Sequence, residues 1–156
     1  MSAGGLSHGE LATQLLVQGC LAHVAGAVQG KAPVAPVVLT ELERADIGLA
    51  QGGHTLFYPA PPTGVFVDMN GSMATVWFME ADSSRAMELV DAALKRTSYK
   101  IKQTKDAGHP NEPKMRCRTY EADLGSNRLA LIEAEYPERG APPKKFVGRI
   151  IAQTRR

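Results

Sequence analysis

Gly64-Val65-Phe66-Val67-Asp68-Met69-Asn70-Gly71-Ser72-Met73-Ala74-Thr75-Val76-Trp77-Phe78-Met79 reads as two β-strands joined at Asn70-Gly71. Asn-Gly suits both central positions of a type I′ turn, because each residue tolerates φ > 0. A two-residue turn there pairs Phe66 with Thr75 and Asp68 with Met73. One face of the hairpin then carries Phe66, Asp68, Met73, Thr75, Trp77 and Met79, and the other carries Val65, Val67, Met69, Ala74, Val76 and Phe78. Both faces are strongly apolar, whereas a solvated face would be more polar, so both are expected to be covered. Phe66, Met73, Trp77 and Met79 are accordingly the candidate interaction residues.

Upstream, Ser7-His8-Gly9-Glu10 reads as a capping box opening a helix to about Val28, with Leu11, Leu15, Leu16, Cys20 and Val24 near helical spacing. Gly30 and the proline-rich stretch Lys31 to Pro36 end it. This helix (residues 1–30) could detach at a 31–37 linker. Thr40-Glu41-Leu42-Glu43 is a second capping box, opening a short helix with Leu42, Ala45 and Leu49 as its apolar positions. His54 to Tyr58 suits a short edge strand closed by Pro59.

Downstream of the hairpin, Asp82 is placed to cap a helix to about Arg96, striped with Ala86, Met87, Val90, Ala93 and Leu94. Strands are expected at 98–104, 114–122 and 127–136, with a turn over 123–126, and 144–156 reads as a strand in preference to a helix. The class is therefore α+β: a single domain over 1–156, with an antiparallel sheet (β-hairpin, helix, then a three- to four-strand meander) packed against N-terminal and central helices.

Charge is divided unevenly. Residues 1–94 hold three bases and nine acids, whereas 95–156 hold fifteen bases and seven acids. Lys100, Lys102, Lys114, Arg116 and Arg118 recur at period two, so a single basic sheet face is expected, with Lys100, Lys102, Arg116 and Arg118 the candidate contacts for an anion or acidic partner. A turn over 123–126 would pair Arg116 with Glu133 and Lys114 with Glu135, partly neutralising that face. Aromatic residues are not interleaved with these cations, which argues against nucleic acid.

Motifs for chemistry are sparse. No phosphate-binding glycine loop and no nucleophile elbow is present. The four histidines share no ligand spacing with each other or with Cys20 and Cys117, so no metal or other cofactor is expected. Cys117, between two arginines, is read as an inward-facing core thiol. Leu16 to Cys20 loosely resembles a lipoprotein cleavage box, but residues 1–10 carry no Lys or Arg, and Gln14, Gln18 and His23 interrupt the apolar run. A cytoplasmic location without membrane insertion is expected, and no residue motif assigns the chain to a family. The leading reading is a non-catalytic, self-associating protein-interaction module. A small-molecule-binding domain or minor enzyme with a helix–sheet pocket ranks second, and a weak nucleic-acid binder third.

Overall fold

A computed structural model describes residues 8–26, 35–47, 49, 54–60, 63–70, 73–79, 83–112, 114–137 and 145–154. Helix α1 is continuous from an α-helical His8–Gln14 through a π-wound Leu15–Leu21 to Ala22–Ala25. It stops earlier than the apolar run suggested, because Gly26 takes up the left-handed conformation at φ 74° that closes a helix C-terminus. The predicted cap at Ser7 lies outside the described residues. A short strand β1 (Val37–Val38) precedes helix α2 (Glu41–Asp46). The Thr40 capping box forms as read: Glu43 N–H donates to Thr40 Oγ1 at 3.1 Å, and Thr40 N–H donates to Glu43 Oε1 at 2.9 Å.

Strands β2 (His54–Ala60), β3 (Thr63–Asn70) and β4 (Met73–Met79) follow, then helix α3 (Ser83–Lys95) and strands β5 (Lys100–Gly108), β6 (Met115–Gly125), β7 (Arg128–Pro137) and β8 (Lys145–Thr154). All eight strands form one antiparallel sheet in the order β1-β2-β3-β4-β8-β7-β6-β5. The hairpin and the meander are thus one sheet: β8 returns to lie between β4 and β7. Strand β2 runs on through Pro59, which pairs with Gly64 on β3 while β1 reaches only Phe57 and Leu56. A proline is tolerated there because the side facing β1 asks no hydrogen bond of it.

Two registers differ from expectation, with opposite consequences. In the first hairpin Phe66 pairs with Trp77 and Asn70 with Met73, so Asn70 is a ladder residue and the pairing is not centred on Asn70-Gly71. The slip is of two residues, and both faces keep their members. Between β6 and β7 the slip is odd. Ser126 and Asn127 both take positive φ, 51° and 59°, as a two-residue loop requires, and a bulge at Leu124 adds one residue on the β6 side. Arg116 therefore faces Tyr136 and not Glu133, and Cys117 faces Glu135.

Helices α1 and α3 pack on each other and on one face of the sheet. Leu11, Leu16 and Leu21 from α1 share a core with Val65, Val67, Val76, Phe78, Val90, Ile132, Phe146 and Ile150. Arg128 on β7 ties the end of α1 down, donating from Nη2 to the Val24 carbonyl at 2.7 Å. Among the described residues, no helix is long and apolar enough to cross a membrane.

Candidate functional site

The face opposite α1 and α3 carries a row that crosses the sheet through register partners: Val37, Phe57, Phe66, Trp77, Val147, Glu135 and Cys117. Its aromatic members pack ring against ring, Phe57 on Phe66 with centroids 4.8 Å apart and Phe66 stacked on Trp77 at 5.3 Å. The close approach at Gly64 seats Phe57, since a Cβ there would stand 2.5 Å from Phe57 Cζ and from the Tyr58 carbonyl. Phe66, Met73 and Trp77 are brought onto this one face, half-buried. Met79 pairs with Lys145 through its backbone, and its side chain lies outside the described set.

Beside this row, α2 is turned inside out. Arg44 is 3% exposed whereas Leu42 is 74% exposed. Arg44 Nε donates to Thr55 Oγ1 at 2.7 Å, Nη2 reaches Asp68 at 3.3 Å, and the Thr55 hydroxyl donates to Asp68 Oδ1 at 2.6 Å. A buried guanidinium needs such partners, and the sheet supplies two of them, with Glu41 of α2 accepting from Nη1 at 3.3 Å. Binding Arg44 inward rotates Leu42 outward, the reverse of the predicted apolar face. The large apolar side chains that stand exposed among the described residues are Val37, Val38, Leu42 and Ile47, all on this one segment.

At the far end of the row three donor side chains converge: His109 from the β5–β6 turn, Cys117 from β6 and Glu135 from β7. Their ligating atoms lie within 4.8 Å of one another. His109 Nε2 meets Glu135 Oε1 at 2.8 Å, and the Asn111 backbone N–H donates to His109 Nδ1 at 3.1 Å. Nδ1 is therefore an acceptor, and the ring proton sits on Nε2, pointing at Glu135. Burial, then the Glu135 and Glu133 carboxylates, push the Cys117 thiol up, so the arrangement is not that of an activated nucleophile.

The predicted basic face does not form. Lys100 and Lys102 lie opposite Asp123 and Glu121 on the open face. Arg116 and Arg118 lie on the helix-covered face because the odd β6–β7 register sends them there, and a bulge between Gln103 and Lys105 turns Asp106 of β5 to the same face. Arg118 Nε and Nη2 donate to Asp106 Oδ2 at 2.9 and 2.7 Å, and Arg116 Nη2 donates to Asp106 Oδ1 at 2.9 Å. Arg118 also donates to Asp91 of α3, which accepts from the Tyr120 hydroxyl as well. Burial alone would raise the Asp106 carboxyl, but the Arg118 and Arg116 hydrogen bonds outweigh it and hold it below its ordinary range. A cleft of about 380 Å³ lies alongside, lined by Asp91, Leu94, Tyr99, Ile101, Gln103 and Tyr120 among others.

No protein-family model, curated protein or solved structure matches this chain.

Sequence reasoning missed the two most distinctive features of this surface, the inverted helix and the His109–Cys117–Glu135 convergence. The capping box located α2, but which of its faces turns inward is decided by Thr55 and Asp68, distant in sequence. The three convergent donors share no spacing motif and meet only because of the β6–β7 register.

Proposed function

We propose that this chain is a non-catalytic protein-interaction module that self-associates through residues 37–47. The observation that carries the reading is helix α2, which buries its arginine and leaves its leucine in water, on a segment that also exposes Val37, Val38 and Ile47. Single apolar residues scattered over a surface are ordinary, whereas a cluster on one short segment marks an association site.

The rim of the patch selects the geometry. Glu41, Glu43 and Asp46 are exposed around it, so patch-to-patch pairing would set acids against acids. The opposite edge of the same sheet exposes Lys100, Lys102 and Lys105. Lysine stems lie along apolar surface while their ammonium heads meet carboxylates, so a head-to-tail contact between copies satisfies both surfaces. Strand addition is opposed at both edges by the brevity of β1 and by the lysines and bulge of β5. Side chains, not a shared backbone ladder, make the contact.

Native mass and sedimentation at rising concentration test this. Association that weakens with salt and is abolished by Leu42→Asp with Ile47→Asp is expected, at unchanged melting temperature, because both positions are exposed in the single chain. A monomer at every concentration overturns it.

The cleft beside α3 favours a second reading, a small-molecule site, since its volume lies within the usual range for ligand pockets. Its Asp91 and Tyr120 are already bonded to each other, and Asp91 to Arg118, which makes this the weaker case.

A further inference from the structure

We infer that His109, Cys117 and Glu135 form a binding site for a borderline divalent transition metal, zinc foremost. The three side chains offer one nitrogen, one sulfur and one oxygen within 4.8 Å of one another, each from a different element. Around a tetrahedral zinc ion such atoms stand roughly 3.3–3.6 Å apart. The widest separation therefore closes by about 1 Å on binding, while the His109–Glu135 contact opens from 2.8 Å. A mixed nitrogen, sulfur and oxygen set suits zinc or cobalt and disfavours magnesium and calcium, which take oxygen alone.

The frame around the donors is fixed. Cys117 and Glu135 are direct register partners across β6 and β7, and the His109 backbone N–H donates to the Met115 carbonyl at 2.9 Å, holding the turn over the sheet. The His109 and Glu135 side chains are 14% and 27% exposed, half-sheltered yet open to an entering ion. One contact works against binding. Metal-bound histidines donate their second ring N–H to an acceptor, but here Nδ1 faces the Asn111 N–H. Binding at Nε2 moves the ring proton to Nδ1 and turns the Asn111 peptide away, exchanging one backbone hydrogen bond for a coordinate bond. Three protein ligands leave the fourth position of a tetrahedral ion to water or to a ligand, at the end of the Phe57–Phe66–Trp77 strip. This site is independent of the association surface at 37–47.

The full chain, stripped with a chelator and titrated with cobalt(II), is expected to bind one ion with a thiolate-to-cobalt charge-transfer absorption that zinc(II) displaces. Cys117→Ser abolishes that absorption, Glu135→Gln weakens binding by at least about tenfold, and Cys20→Ser leaves both unchanged. Both serine variants exchange sulfur for a smaller oxygen without adding bulk, and circular dichroism checks that each is folded. Absence of the absorption in the folded native chain overturns the inference, as does its persistence in Cys117→Ser.

Discussion

Asp106 on β5 and Arg118 on β6 are register partners whose side chains meet on the helix-covered face, with Arg118 Nε and Nη2 both donating to Asp106 Oδ2. The pair is the centre of a network that also binds Asp91, Arg116, Tyr120 and Tyr136, and it joins α3 to the sheet edge. A half-buried guanidinium in that position depends on both carboxylates.

Asp106→Asn is expected to cost about 1–3 kcal/mol, because Arg116 and Arg118 lose their charged acceptor while staying partly buried. Urea unfolding at neutral pH measures it. The pH dependence has a definite sign. The folded Asp106 carboxyl lies below its unfolded value, so the unfolded chain binds more protons as pH falls. Its contribution is present above about pH 4 and lost below, as pH falls through the folded value. Asp106→Asn should flatten that part of the acid limb, and an unchanged limb would refute the assignment.

On α2 the usual hydropathy order is reversed. Arg44→Ala strips the buried Thr55–Asp68 pair of its cation and is expected to cost about 1–3 kcal/mol. Leu42→Ala, at a site 74% exposed, should change the stability of the single chain by less than about 0.5 kcal/mol. Thermal melts of the two variants at low concentration decide between this and an ordinary amphipathic helix, for which the order would invert.

Gly64→Ala drives a Cβ into the Phe57 ring and the Tyr58 carbonyl, both 2.5 Å away. Because one contact is backbone, the β2–β3 pairing must shift, at a cost of about 1–3 kcal/mol. The chain holds a single tryptophan, and Trp77 stacks on Phe66 next to Phe57. Its fluorescence should change in the folded variant, and an unchanged spectrum with unchanged stability would contradict the packing.

The two thiols should behave differently. Cys20 is fully buried, and burial pushes its thiol up to about 12. Cys117 is only half-buried. A thiol-specific reagent at mildly alkaline pH should label Cys117 slowly in the native protein and Cys20 only on unfolding. Equal rates for both would show that α1 opens readily from the sheet.

Strand alternation, the Thr40 capping box and the stripe of α3 were legible because each depends on neighbours a few residues away. The two faces of the first hairpin were legible too: a two-residue slip left Val65, Val67, Ala74, Val76 and Phe78 against the helices. The basic face was not legible. Bulges at Leu124 and between Gln103 and Lys105 each change the parity of everything beyond them, and no periodicity in β5 or β6 announces a bulge.

From sequence alone follow the α+β class, the antiparallel sheet and the core strip of α1 and α3, all set by local periodicity and turn chemistry, whereas 144–156 also fitted a helical stripe, and 145–154 is a strand through its pairing with β4 and β7. Tertiary structure alone decided that β8 enters between β4 and β7, that Arg116 and Arg118 turn toward α3, and that Arg44 faces inward while Leu42 faces water. It alone brought His109, Cys117 and Glu135 together. Those outcomes rest on register and on partners distant in the chain, where a shift of one residue moves a side chain to the opposite face of the sheet.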